Sequence, residues 1–312
     1  TDTNNPIVEI DAPRSDFQGA LYQFIIGVFQ TGFAPSDSDH WLELYESPPH
    51  PDQVHKNLSQ LASAFELVNL KGAGFLQDIH SSSDSTIPVE SLLVNAPGDS
   101  TQKENRDLFV KSGAVHGLCH PCSAQALFTL QTNGPAGGSG YLTGLRGGGP
   151  LTTLVLPSEK ESLLWKKIWL NVLDEDQLCE SISEPNSDVF PWTSSLECSA
   201  QKPKETQPSN SHPLQAYWGM PRNIRLKQGS TEGECCVCGA TKTPLIDGYY
   251  RRKYGVNYGD GWLHPLTPYR FDPKKAKPPL TLKGQQGGLG YKHWLGLTLQ
   301  DDGNGDRAAK IV

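Results

Sequence analysis

Two short cysteine pairs constrain this chain more than any other feature. Cys119-His-Pro-Cys122 and Cys235-Cys-Val-Cys238 each hold two thiols three positions apart, with 112 residues, 123 to 234, between the pairs. Four thiolates are the donor set of a closed, tetrahedral zinc site, which is structural and holds no catalytic water. If one ion takes all four, the fold must bring position 119 to position 238 across more than a third of the chain. Gly239 follows the second pair, where a tight turn favours a residue without a Cβ. The alternative for these residues is a set of unpaired reduced thiols. A haem reading fails because no histidine follows Cys122. A deaminase reading fails because no H-x-E stands ahead of a P-C-x-x-C.

The other cysteines are Cys179, Cys198 and Cys236, which makes seven, an odd number. The first residues, Thr1 to Asn5, are polar, and no basic stretch leads into an apolar run. CxxC spacing in that context reads as metal chemistry rather than a disulfide framework. The longest apolar stretch, Phe24 to Phe29, is far shorter than a membrane span. A cytoplasmic protein with no membrane contact is therefore expected.

Amphipathic spacing predicts a helix over Ser15–Gly32, with Phe17, Leu21, Phe24, Ile25 and Val28 on one stripe. Ser15 and Gln18 form a candidate capping box, and Gly32 a candidate stop. A second helix is expected over Gln53–Leu67 and a third over Glu161–Leu173, the latter carrying Trp165 and Trp169. Leu151–Leu156 reads as a buried strand. Ser81–Glu104 is polar and turn-rich, and Ser181–Ser211 reads as a surface loop. Gly (31) and Pro (24) are frequent enough in 312 residues to demand many loops. These elements predict an α+β body with a single main domain.

Net charge is −7, which by itself argues against a nucleic-acid partner. Its distribution does not. Between Arg222 and Lys283 there are 12 Lys and Arg against five Asp and Glu, whereas the rest of the chain has 15 against 29. Such a basic block reads equally as a solvated face or as an electrostatic footprint for phosphate. It contains Tyr249-Tyr-Arg-Arg-Lys-Tyr254, adjacent aromatics and cations suited to phosphate contact and base stacking, or to an exposed strand edge. The glycine-rich run Gly134 to Pro150 lacks the Gly-Lys-Ser/Thr ending of a phosphate-binding loop and misses the dinucleotide spacing. Composition alone favours a structural turn cluster there. The other reading is a backbone that approaches a narrow surface such as a DNA minor groove. No G-x-S-x-G or H-E-x-x-H is present, and His212, His264 and His293 stand in packed His-Pro or His-Trp contexts.

Several segments together resemble the CasA family, the large subunit of the type I-E CRISPR Cascade surveillance complex. They are Leu118-Cys-His-Pro-Cys122 with Ala126-Leu-Phe128, Gly144-Leu-Arg-Gly-Gly-Gly-Pro-Leu-Thr-Thr153, Leu170-Asn-Val-Leu173, His212-Pro-Leu-Gln-Ala-Tyr-Trp-Gly219 and Trp262-Leu-His-Pro265. The resemblance runs from about Phe17 to about Leu299 and rests on order and spacing rather than on one motif.

The resemblance implies a non-enzymatic subunit that reads the protospacer-adjacent motif of double-stranded DNA through the minor groove. It also implies help in opening the duplex and a dock for the system's helicase-nuclease in antiviral defence. Guide RNA and the other Cascade subunits are the implied partners. By the same resemblance Leu93, Val94 and Asn95, within Leu92–Pro97, would contact the guide RNA's 5′ handle. Ala136–Gly140 would be the motif-reading glycine loop, with Gly138 and Gly140 flanking Ser139 where the family places a glycine. Lys253 would be the family's lysine finger, with Arg251 and Arg252 beside it, and Cys119, Cys122, Cys235 and Cys238 the zinc knuckles. The expected domain is the family's N-terminal globular body over 1–312, with its DNA-facing region at about 222–283. The family's opening segment, its wedge Asn-Gln pair and its C-terminal four-helix bundle have no counterpart in these residues. Two competing functions remain: a metal-stabilised scaffold without DNA readout, and a zinc-assisted nucleic-acid enzyme.

Overall fold

The computed structural model describes residues 5–312 except 70, 71, 73, 82–85, 136, 139, 160, 161, 180–188, 194–202, 275, 285, 286, 302 and 304, and the side chains of 179, 228, 230 and 231. Ala136, Ser139 and Cys198 thus lie outside the described residues. The helices are α1 (Ser15–Gly32), α2 (Ser38–Glu46), α3 (Pro51–Ser59), α4 (Asp99–Lys103), α5 (His120–Asn133), α6 (Leu164–Trp169), α7 (Glu175–Cys179) and α8 (Trp294–Thr298). The strands are β1 (Ile87–Pro88), β2 (Leu118–Cys119), β3 (Glu205–Thr206), β4 (Asn223–Gly233), β5 (Thr243–Arg252), β6 (Asn257–Tyr258), β7 (Tyr269–Arg270), β8 (Leu280–Thr281), β9 (Gln300–Asp301) and β10 (Asp306–Arg307). Mixed helices and antiparallel sheets make the fold α+β, as expected.

The main sheet is organised on β5. Strand β4 runs antiparallel along one edge, from Asn223 opposite Arg252 to Gly233 opposite Thr243. The other edge is shared, with β1 opposite Tyr249 and Gly248 and β2 opposite Ile246 and Leu245. A second sheet has the order β8-β7-β10-β9, and β3 pairs with β6 in parallel.

Aromatic rings fill the core beneath. Phe24 of α1 meets Phe65, Phe75, Phe128 and Trp218 edge-to-face at 5.4 to 5.8 Å. Such T-shaped pairs set the electropositive ring edge against the electronegative face. Each buried indole also finds an acceptor. Trp165 donates to the Leu44 carbonyl, Trp169 to Trp41, Trp192 to Ala64 and Trp218 to the Thr31 hydroxyl, at 2.7 to 2.9 Å. Gly32 belongs to the same packing, because a Cβ there would stand 2.8 Å from Leu61 Cδ1.

Four local expectations are corrected. Helix α1 starts at Ser15, but the Ser15 side chain does not cap it. The residue in the cap position is Arg14, and Gln18 reaches back to the backbone of Ile10 and Ala12 instead. The second and third helices are shorter than their apolar patterns: α3 ends at Ser59, a 3-10 turn covers Ala62–Phe65, and α6 covers only six residues. Residues 151–156 form no strand. The buried Asn171 side chain does a neighbouring strand's work there, accepting from Val155 N–H and donating to Val155 C=O at 2.8 and 2.9 Å. Finally, within 181–211 the described turn Phe190-Pro-Trp192 is buried rather than on the surface, Trp192 being 1% exposed. The polar composition of the stretch conceals that turn.

Candidate metal centre and nucleic-acid interface

The metal centre is assembled by β2 and the β4–β5 connection. Cys119 ends β2, opposite Leu245 of β5, and Cys122 lies in the first turn of α5. The second knuckle folds as a tight turn, with Cys235 N–H donating to Ala240 and Gly239 N–H donating to Cys235. Gly239 has φ of +72°, a left-handed conformation that a side chain disfavours. Cys236 is not in the cluster; its N–H donates to the Gly117 carbonyl at 3.0 Å and ties one knuckle to the other.

The four sulfurs of Cys119, Cys122, Cys235 and Cys238 lie within 4.8 Å of one another. The Cys119 and Cys238 sulfurs are 3.6 Å apart. Tetrahedral zinc with bonds of about 2.3 Å sets its sulfurs about 3.8 Å apart, so all four expected residues fit a structural zinc ion. Desolvation pushes Cys119 up to about 11 and Cys122 higher still. At Cys235 desolvation pushes the same way, but hydrogen bonding from the backbone of Cys238, Cys119 and Val237 outweighs it and lowers the thiol to about 6. A cation bound among the four sulfurs would stabilise their negative charge against that desolvation.

Strand β5 leads from the cysteine cluster to the basic end. Leu245 and Lys253 are separated by eight positions, about 26 Å of extended chain. There the chain bends sharply. Tyr254 adopts φ of +59°, and Gly255 passes so near Pro221 that a Cβ would stand 2.4 Å from its carbonyl carbon. The bend brings Lys253 onto the glycine run. Tyr254 N–H donates to the Gly140 carbonyl at 2.9 Å, and a Cβ on Gly140 would meet Lys253 Cγ at 2.7 Å. Gly138 and Gly140 have φ of +83° and +82°. Lys253 itself is exposed.

The other expected residues separate in role. Arg252 forms an ion pair at 2.8 Å with the buried Asp78, so its charge is spent within the chain. Arg251 lies 4.2 Å from the centroid of the Tyr141 ring, and Arg222 lies 4.9 Å from the same centroid. Burial draws both guanidiniums below the ordinary arginine range. The Leu93 side chain is 6% exposed and belongs to the core, which leaves its backbone as the part a ligand could reach. Val94 is half-buried, whereas Asn95 is exposed and accepts a hydrogen bond from Arg14 at 3.0 Å. Sequence reasoning missed Tyr141 and Arg222. The only available signal was an aromatic beside glycines and an isolated arginine at the edge of the basic block.

Of the three histidines only His264 is fully packed; His212 is half-buried and accepts from Leu214 N–H at 3.2 Å, and His293 is half-buried among exposed neighbours. His264 is 3% exposed and accepts from Leu266 N–H through Nδ1. No described helix is long and apolar enough to cross a membrane.

The family model for CRISPR-associated protein Cse1 matches residues 1–312. Among solved structures, Thermobifida fusca Cse1 is similar with a TM-score of 0.66 at 18% identity, over 98% of this chain and 58% of that one. Thermus thermophilus CasA (Cse1) is similar with a TM-score of 0.60 at 18% identity, over 97% of this chain and 58% of that one. A chain of a CRISPR RNA-guided surveillance complex is similar with a TM-score of 0.64 at 12% identity, over 97% of this chain and 60% of its own length. This chain therefore spans less than two thirds of those structures. At such identities the likeness speaks for the fold, and the family model speaks for descent: the chain belongs to the CRISPR-associated Cse1 family.

Proposed function

We propose that this chain is a subunit of a CRISPR RNA-guided surveillance complex and reads the protospacer-adjacent motif of double-stranded DNA. The apposition of Lys253 and Gly140 carries the reading. It supports a surface in which a cation reaches outward over a backbone stripped of side chains, the shape and charge a minor groove accepts. Gly138 and Ser139 complete the loop, and Arg251 and Arg252 hold the strand end rather than neutralise phosphate. Asn95, with Val94, faces guide RNA. Other Cascade subunits and the helicase-nuclease are the remaining partners, and groove entry assists duplex opening.

The chain acts by binding and not by turnover. Zinc, held by Cys119, Cys122, Cys235 and Cys238, fixes the β2 and β4–β5 junction. An all-thiolate set offers no open position for a substrate or an activated water. Lys253→Ala tests the reading. It should weaken binding of the guide-loaded complex to motif-bearing duplex and leave assembly intact. Equal affinity of the variant and parent complexes would remove the finger.

A scaffold without DNA readout is the second reading. The internal engagement of Arg251 and Arg252 favours it, because only Lys253 of the three cations is presented outward.

A further inference from the structure

The glycine loop has a side chain that the reading above does not use. Tyr141 follows Gly140 directly, and two guanidiniums lie over its ring, Arg251 at 4.2 Å and Arg222 at 4.9 Å. The arginines come from neighbouring strands: Arg222 precedes β4, and Arg251 on β5 is opposite Ile224. Arg222 also donates to the Pro135 carbonyl at 2.9 Å, at the entry of the same loop. Its Nε is buried and meets no hydrogen-bond partner among the described residues. The Tyr141 ring is thus a principal compensation for that charge. On the loop's own side, Gly138 lies so close to the ring that a Cβ would stand 2.6 Å from Tyr141 Cδ2.

We propose that Tyr141 is a positioning residue that pre-orders the glycine loop for DNA, clamped to the sheet by Arg222 and Arg251. The inference rests on the motif-reading function proposed above and adds a regulator of its specificity. A loop of glycines loses much backbone freedom when it enters a groove. Affinity is proportional to the fraction of molecules in which the loop is already placed. A ring held by two cations keeps that fraction high, since cation–π contacts are attractive through the ring face and need no hydroxyl. The stack also keeps the Arg251 charge on the protein, so Tyr141 sets geometry whereas Lys253 supplies the phosphate-sensitive charge.

The test uses the guide-loaded complex assembled with this chain, its parent form and Tyr141→Leu, Tyr141→Phe and Lys253→Ala. Binding is measured across a salt series to duplexes with the motif and with a scrambled flank. Tyr141→Leu should reduce the preference for the motif about tenfold, the scale of two such contacts. It should not flatten the salt dependence, and Tyr141→Phe should restore the parent preference. Lys253→Ala should flatten the salt dependence by about 0.9 in logarithmic slope. Hydrogen exchange over residues 134–144 should quicken in Tyr141→Leu and stay at the parent rate in Tyr141→Phe. Parent behaviour of Tyr141→Leu beside a weakened Lys253→Ala would overturn the positioning role and leave the motif reading standing. Loss in Tyr141→Phe equal to that in Tyr141→Leu would make the hydroxyl a direct DNA contact and overturn it as well. No motif preference in the parent complex would instead remove the reading on which it rests.

Discussion

The stem of Lys253 lies across Gly140, near enough that one added methyl group at position 140 would come within 2.7 Å of Lys253 Cγ. Lys253 and Gly140 are therefore a single packed unit, and either can be disturbed through the other. Gly140→Ala should displace Lys253 as well as strain a backbone held at φ of +82°. Motif-bearing DNA should bind about as poorly as with Lys253→Ala, at a stability cost of about 1 kcal/mol. Parent affinity in Gly140→Ala would show that the lysine does not depend on the loop for its aim.

Metal content is a separate question. The full chain should contain about one zinc ion, and chelation or Cys235→Ser should remove it. Because Cys119 is paired to β5 at Leu245, the loss should reach the main sheet and lower the melting temperature. Metal analysis that finds no zinc in protein purified without chelator would eliminate the staple.

The 181–211 stretch offers a stability test. Trp192 is 1% exposed and donates to the Ala64 carbonyl at 2.7 Å. Trp192→Ala should destabilise the chain by about 3–5 kcal/mol, as removal of a large core aromatic does. A change below about 1 kcal/mol in urea unfolding would mean that Trp192 does not anchor the core.

Acid stability should depend on His264. Burial, and then the nearby Arg146 charge, hold its pKa well below the ordinary 6.5, and its Nδ1 must stay unprotonated to accept from Leu266. The unfolded chain binds this proton first as pH falls. The stability held by neutral His264 is therefore complete above 6.5 and is lost as pH drops below it. His264→Asn, which keeps an acceptor, should reduce the pH dependence of unfolding below 6.5 by up to about 1.4 kcal/mol per pH unit. Identical pH profiles for the two proteins would contradict this.

What could be read in the sequence follows from how local its cause is. The cysteine pairs were legible because zinc chemistry dictates ligand type and spacing, and the fold closes 112 residues to unite them. Helix α1 was legible because its apolar period is long. The Tyr141 clamp was not, because it joins residues 81 and 110 positions apart through rings and cations that leave no periodic trace. The inward side chain of Leu93 was not legible, because a family correspondence assigns a segment to a ligand without saying which side chains face inward. Leu151–Leu156 misled because such a run looks like a strand, whereas its backbone bonds are scattered over Leu282, Leu266 and the Asn171 side chain.

Motif reading by this chain requires that it give the guide-loaded complex a preference for the flank of a target. Binding of the guide-loaded complex, assembled with and without the chain, is to be measured on one duplex carrying the motif beside the target and one with that flank scrambled. The predicted result is a flank-dependent affinity that appears only with the chain and is lost with Lys253→Ala. The contradicting result is an affinity that neither the flank nor the chain alters.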